Sequence, residues 1–300
     1  MKKSNLYSLV LLVASACLTA TAFAQGPRVG RLRERLAERK NVGPVELSYG
    51  KDALQKLDYW KPSKIGSPLV IFVHGGGWKR GDKGNTTGEE KSGHYIQQGY
   101  AFASINYRLV PSATVEQQAQ DVANAIAYLI GQSESLGFDS NRIVLMGHSA
   151  GAHLSALVGT DMRYLQQAKL GPNTLRGVIP LDGACYDVPR QIALGGDFMN
   201  DTYIQAFGNE KERQLALSPT HHATAPNAPA FLILHVQRVD GAAQSRALAT
   251  ALQKAGTLAD VRGFEGTGLK GHAEINRRLG DPSYPATPVV DEWLKNAFAK

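Results

Sequence analysis

Gly147-His148-Ser149-Ala150-Gly151 follows directly on the apolar run Ile143-Val144-Leu145-Met146. The pattern is G-x-S-x-G. A strand that ends in it and opens into a helix must turn so sharply that only small residues fit on either side of the serine. Gly147 and Gly151 supply the missing bulk, so the serine hydroxyl is left projecting at the top of a sheet. The run from Ala150 to Gly159 is rich in Ala and Leu and suits the helix that must follow. A chain with this turn is committed to a strand–turn–helix unit, and Ser149 becomes a candidate nucleophile. Gly, Ala and Ser are common residues, so the weight of the pattern depends on what surrounds it.

The surroundings alternate. Val45 to Tyr49 and Leu54 to Trp60 read as a pair of starting strands, and residues 61–68 as a turn-rich break. Leu69-Val70-Ile71-Phe72-Val73 is continuously apolar, as expected of a strand buried on both faces. A helix is expected near Glu89 to Gln98, a strand at Tyr100 to Asn106, and a helix at Val115 to Ile130 with apolar residues at helical spacing. Beyond the elbow come strands at Val178 to Leu181 and Phe231 to His235. A helix at Ala242 to Ala255, a strand at Ala259 to Phe264 and a closing helix at Pro288 to Ala299 complete the series. This order predicts an α/β fold, a mostly parallel sheet with helices on both faces. Residues 183–229 interrupt it with prolines, Gly195-Gly196 and short helical pieces. The stretch is too long for a simple connection and reads as a small cap or lid.

Composition narrows the class. The chain has 300 residues. Lys2 and Lys3 precede the apolar stretch Leu6 to Leu18, and Ala22-Phe23-Ala24 reads as a cleavage site, so residues 1–24 are expected to be a signal peptide of a secreted or periplasmic protein. Ala14-Ser15-Ala16-Cys17 only loosely matches a lipidation box, because the usual Leu three places before the cysteine is missing. Cleavage after Ala24 leaves Cys185 alone, with no intramolecular disulfide, and the stability must come from a packed core. The formal charge is +7. Removing Lys2 and Lys3 leaves +5, and residues 28–40, with six basic and two acidic side chains, account for +4 of that. The remainder is close to neutral, so nucleic acid is not an expected partner. Residues 25–44 read as a basic leader or linker before a catalytic domain at 45–300. No later run is long and apolar enough for a membrane span.

Three further features bear on chemistry. His74-Gly75-Gly76-Gly77-Trp78 directly follows the strand ending at Val73. Glycines let the backbone approach a ligand and turn its N–H groups inward, so this loop suits an oxyanion hole, with donors expected from Gly75, Gly76 and Ala150. His74 is expected to anchor the loop. Eight histidines compete for the role of base: His74, His94, His148, His153, His221, His222, His235 and His272. His148 adjoins the serine, but the elbow should send its ring elsewhere. His153 should pack against the sheet, and His235 ends an apolar strand. His272, in what reads as a flexible loop at residues 266–272, stands where the chain order serine, acid, histidine requires it. The acid is expected at Asp240, after the strand Phe231 to His235. Asp182, ending the strand before, is the rival, and Asp187 a weaker one. The histidines are scattered, without an H-E-x-x-H pattern or a cysteine cluster, so neither a metal nor an organic cofactor is expected.

His74 to Trp78, Asn106-Tyr107-Arg108-Leu109, Gly147 to His153 and Gly271-His272 together resemble the α/β-hydrolase carboxylesterases with an H-G-G-G oxyanion motif. Those proteins are related to hormone-sensitive lipase, and the G-H-S-A-G-A-H form is similar to a bacterial esterase branch that also resembles arylformamidases. The resemblance runs from about Leu69 to Ala299. It implies the α/β-hydrolase fold, a triad of Ser149, Asp240 and His272, and a small-molecule ester as substrate. The family often has a glycine where Val236 stands. Ester hydrolysis is the first expectation. An arylformamidase-like amide hydrolase and an acetylxylan or feruloyl-type polysaccharide esterase are alternatives, because the same triad serves all three. A non-catalytic binding module on the same fold is the reading from another class. Chain length of the acyl group, natural substrate and oligomeric state are not encoded in these motifs.

Overall fold

The computed structural model describes residues 43–194 and 196–299. The expected signal peptide, and all of the basic leader but its last two residues, lie outside the described residues. Residues 44–300 form one compact unit.

Eight strands make one sheet in the order β1-β2-β4-β3-β5-β6-β7-β8. They are β1 (Val45–Ser48), β2 (Lys56–Trp60), β3 (Ser67–Val73), β4 (Ala101–Ile105), β5 (Phe138–His148), β6 (Gly177–Leu181), β7 (Ala230–Gln237) and β8 (Leu258–Thr267). β2 is antiparallel to both β1 and β4, and all other neighbours are parallel. The helices are α1 (Glu90–Gln97), α2 (Val115–Gly131), α3 (Ser133–Leu136), α4 (Ala150–Thr160), α5 (Arg163–Gln167), α6 (Val188–Leu194), α7 (Gly196–Phe207), α8 (Lys211–Ala216), α9 (Pro219–His222), α10 (Val239–Lys254), α11 (Gly268–Arg278) and α12 (Ala286–Phe298).

The continuous apolar strands divide their side chains between two cores, as the two-residue period of a strand demands. Leu69, Ile71 and Val73 of β3 join Ile143 and Leu145 of β5 on one face, packed under α2, α4 and α10. Val70, Phe72, Val144 and Met146 face the other way, against Tyr95 of α1 and Val290 and Leu294 of α12. Each such fully buried side chain contributes roughly 1.5–3 kcal/mol relative to exposure. Helix α2 begins at a capping box: the Gln117 N–H donates to Thr114 Oγ1 and the Thr114 N–H to Gln117 Oε1. A cap of this kind contributes about 1 kcal/mol.

Residues 183–229 carry the expected short helical pieces, α6 to α9, between β6 and β7. One segment differs from the sequence expectations. Residues 266–272 are not a flexible loop: β8 runs to Thr267 and α11 begins at Gly268. The glycines there serve close packing. A Cβ on Gly271 would lie 2.4 Å from the carbonyl carbon of Gly266, which itself has φ +121°. His272 therefore stands on a helix seated against the end of a strand.

Candidate active site

Pairing register brings the carboxyl ends of the parallel strands together. Val73 is opposite Gly147, His148 opposite Leu181, Leu181 opposite Leu234, and Gln237 opposite Thr267. The next residues along each strand share one edge of the sheet, which is where open α/β sheets place their ligands. His74, Ser149, Asp182, Arg238 and His272 all come from this edge.

Ser149 links β5 to α4 with φ 57° and ψ −118°, a conformation side-chain-bearing residues seldom adopt. The strain is held by packing. A Cβ on Gly147 would lie 2.2 Å from the Gly151 carbonyl oxygen, and one on Gly151 would lie 2.1 Å from that of Val73. The Ser149 N–H donates to Leu181 O at 3.0 Å. Ser149 Oγ lies 3.0 Å from His272 Nε2.

The acid differs from the expectation. The carboxylate on His272 Nδ1 is Asp182, at 2.6 Å, whereas the Asp240 carboxylate bonds Arg238 and Gln191. Asp182 directly follows β6, one strand from the nucleophile, with φ 43°. It is fully buried. Its Oδ1 accepts the Val236 N–H at 3.0 Å, and its Oδ2 accepts Arg238 Nη1 at 2.8 Å. Asp240 is displaced because it lies inside the first turn of α10, where its carboxylate takes Arg238 Nη2 at 3.0 Å. Arg238 thus stands between the two carboxylates. Burial by itself would raise the Asp182 carboxyl. The hydrogen bond from His272 and the Arg238 cation outweigh it and hold the group down at about 2.

The signals for Asp182 were slight. It closes a wholly buried strand and precedes Gly183, and Val236 replaces the glycine frequent in the β7 acid loop. Arg238 carried no pattern at all.

The glycine loop runs beside the serine. A Cβ on Gly75 would lie 3.0 Å from Ser149 Cβ, and Gly76 has φ +131°, where a Cβ would meet Arg80 O at 1.9 Å. Among the described residues, the N–H groups of Gly75 and Gly76 donate to no backbone carbonyl. His74 is fully buried and stacks on Tyr107 with ring centroids 4.4 Å apart. Its Nδ1–H donates to Gly75 O at 2.7 Å, and the Tyr107 hydroxyl donates to His74 O. Burial pushes the His74 imidazole down to about 4.

The other histidines hold the frame. His153 is buried, accepts Trp78 Nε1–H on Nδ1 at 3.3 Å and donates Nε2–H to Leu217 O at 2.8 Å. One ring thereby ties α4, the glycine loop and the segment between β6 and β7 together. His148 lies against His272, with ring centroids 4.4 Å apart. Its Nε2 is 2.9 Å from His272 O, and a carbonyl only accepts, so the hydrogen is on Nε2. Burial, then the neighbouring His272, pushes His148 well below the usual histidine range. His94 pairs with Asp291 of α12. Lys91, fully buried in α1, donates to Thr87 O and to the backbone and side chain of Asn276 on α11. It braces the helix that carries His272.

Among the described residues, no group of three or more His, Cys, Asp or Glu side chains is arranged to hold a metal ion. No helix among them is long and apolar enough to cross a membrane.

Known proteins share this frame. The family model BD-FAE matches residues 57–187. Esterase LipC of Mycobacterium tuberculosis is 33% identical over 226 residues, covering 71% of this chain and 54% of LipC. The kynurenine formamidase of Drosophila melanogaster is 30% identical over 125 residues, covering 41% of this chain and 40% of that protein. The chain thus spans about half the length of LipC, and less of several other relatives. Esterase B from Lactobacillus rhamnosis superposes with a TM-score of 0.68 at 21% identity, over 91% of this chain and 92% of its own. On sheet order and on the likeness to solved structures, the chain has the α/β-hydrolase fold, with an H-G-G-G loop ahead of a G-x-S-x-G elbow.

Proposed function

We propose that the protein is an exported serine carboxylesterase that hydrolyses small to medium carboxylic esters through an acyl-enzyme on Ser149. The observation that carries this reading is the continuous chain Ser149 Oγ, His272 Nε2, His272 Nδ1 and Asp182 Oδ2, with steps of 3.0 and 2.6 Å. His272 takes the hydroxyl proton at Nε2 as Ser149 Oγ attacks the ester carbonyl carbon. The carbonyl oxygen becomes an oxyanion and is met by the N–H groups of Gly75, Gly76 and Ala150, each donor worth roughly 3 kcal/mol of barrier. Asp182 holds the proton on Nδ1 and stabilises the imidazolium. The tetrahedral intermediate collapses, the C–O bond to the alcohol breaks, and His272 returns the proton to the leaving oxygen. Water then repeats the sequence on the acyl-enzyme and releases the acid. No cofactor enters these steps.

Residues 183–229 are read as a cap. Three contacts support it: Phe207 lies edge-on to Trp78 with centroids 4.7 Å apart, Leu217 O takes His153, and Thr202 Cγ2 lies 3.1 Å from where a Cβ on Gly77 would stand. Export rests on the pattern of residues 1–24.

The likeness to LipC favours an ester, and the likeness to kynurenine formamidase keeps the amide reading in the test. Purified protein is assayed on nitrophenyl esters from acetate to decanoate, on N-formylkynurenine and on acetylated xylan, beside Ser149→Ala. Ester turnover abolished by the substitution is the expected result. Turnover undiminished in Ser149→Ala sinks the mechanism, and a wild type inert on every substrate favours a binding module. Mass spectrometry of the exported protein should find Gln25 at the amino end.

A further inference from the structure

The acid corner holds more charge than a triad needs. Arg238 Nη1 lies 2.8 Å from Asp182 Oδ2 and 2.8 Å from His272 Nδ1, while Nη2 lies 3.0 Å from Asp240 Oδ2. The same Asp240 oxygen receives Gln191 Nε2 at 3.1 Å, and that nitrogen lies 3.3 Å from the Tyr203 hydroxyl. Gln191 and Tyr203 belong to α6 and α7. The network therefore runs from the segment between β6 and β7 to the ring of His272.

A neutral His272 that can accept a proton at Nε2 carries its hydrogen on Nδ1. Asp182 Oδ2 accepts that hydrogen. Arg238 Nη1 cannot then bond Nδ1, since both are donors. Its hydrogen goes to the same carboxylate, and the cation abuts the imidazole. Asp182 and Arg238 together carry no net charge. An imidazolium on His272 would meet a cation at close range with nothing left over to balance it. Asp240 supplies the balance: two carboxylates and one guanidinium sum to one negative charge.

We propose that Arg238 and Asp240 are a pair of positioning residues for the His272–Asp182 couple. Arg238 clamps the Asp182 carboxylate and keeps the proton on Nδ1. Asp240 restores the negative charge that Arg238 cancels. The inference rests on the reading of Ser149, His272 and Asp182 as a triad. The other titratable groups around His272 are His148 across its ring, Ser149 at Nε2 and Lys91 behind α11. All three stay constant when only Arg238 or Asp240 is changed.

The test follows the His272 ring by NMR titration in the full chain, for wild type, Arg238→Met, Arg238→Lys and Asp240→Asn, beside the pH profile of kcat/KM on nitrophenyl butyrate. Removing the cation should raise the His272 protonation midpoint, and with it the acidic limb of the profile, by on the order of one pH unit. Removing the more distant Asp240 charge should lower both by a smaller amount. Arg238→Lys keeps the charge but cannot bridge two carboxylates, so its midpoint should stay near wild type while kcat falls. Midpoints that stay put, or that move the same way in Arg238→Met and Asp240→Asn, overturn the proposal. If Arg238→Met does not fold, the near-isosteric Asp240→Asn decides alone, and an unmoved or raised midpoint there is fatal. Opposite shifts in a protein that hydrolyses no ester would remove the esterase reading and leave the clamp standing.

Discussion

The elbow at residues 147–151 and the acid corner at Asp182, Arg238 and Asp240 lie side by side on the same sheet edge, yet different forces hold them. At the elbow the constraint is steric: Gly147 and Gly151 sit where a single methyl group would meet backbone oxygen at 2.2 and 2.1 Å. Little there depends on charge or solvent conditions. At the acid corner the constraint is electrostatic: Arg238 bonds two carboxylates, buried Asp182 and half-buried Asp240, and Asp182 in turn bonds the His272 imidazole. The first region should fail when atoms are added. The second should fail when charge is removed or pH is changed.

The largest effect should come from the charge side. Asp182→Asn leaves the shape nearly intact but offers His272 Nδ1 an amide in place of a carboxylate, which unsettles the tautomer. A fall in kcat of about 10⁴-fold is expected, as for the equivalent change in other serine triads. Asp240→Asn, one residue further from the ring, should lose no more than about 10-fold, because it acts only through Arg238. The reverse order, measured by steady-state hydrolysis of nitrophenyl butyrate, would return the acid to the seventh strand.

On the steric side, Gly151→Ala should destabilise the fold by about 3 kcal/mol, since the added carbon meets backbone that cannot rotate away. Urea denaturation followed by circular dichroism measures it. A loss below ~1 kcal/mol would show that α4 can slide on β3 and that the elbow is looser than its contacts imply. Gly76→Ala tests the neighbouring loop. Its φ of +131° and a Cβ 1.9 Å from Arg80 O force the loop to shift, so kcat should fall about 10²-fold while KM changes little. Unchanged kcat would take the Gly76 N–H out of the oxyanion hole.

The same contrast explains which parts of the molecule are legible in the sequence. Steric and periodic constraints write themselves into sequence. The runs at 69–73 and 231–235 read as strands because they are short, continuously apolar up to their last residue and bounded by turn residues, as suits a strand buried on both faces. The glycines of 75–77, 147 and 151 read as close approaches because little else demands glycine after a strand. His272 is legible by chain order, though its helix is not: Gly266, Gly268 and Gly271 look like a flexible loop until the packing of Gly271 on Gly266 is seen. Charge networks write nothing comparable. Asp182 and Asp240 both follow buried strands, and the choice between them turns on a left-handed φ at Asp182 and on where Arg238 points. Neither has a sequence period.

A smaller effect than the loss of activity in Asp182→Asn is expected on stability in acid, and in this comparison it falls on the acid corner and not on the elbow. The Asp182 carboxyl sits at about 2 in the folded protein against an ordinary 3.8, because the His272 bond and the Arg238 cation overcome its burial. A depressed folded value means that the unfolded chain binds the proton more readily. The contribution is therefore fully present above pH 3.8 and is lost as pH falls through 2. It amounts to about 2 kcal/mol, since each tenfold difference in proton affinity between the folded and unfolded chain corresponds to about 1.4 kcal/mol. Other carboxylates titrate in the same window, so the measurement is the difference between wild type and Asp182→Asn in urea stability from pH 5 to 2. The wild-type advantage should shrink by about 2 kcal/mol over that range. Gly151→Ala should run parallel to wild type throughout, because its penalty carries no proton. A constant gap for Asp182→Asn would mean that Arg238 does not hold the carboxylate down, and the acid corner would then be steric like the elbow.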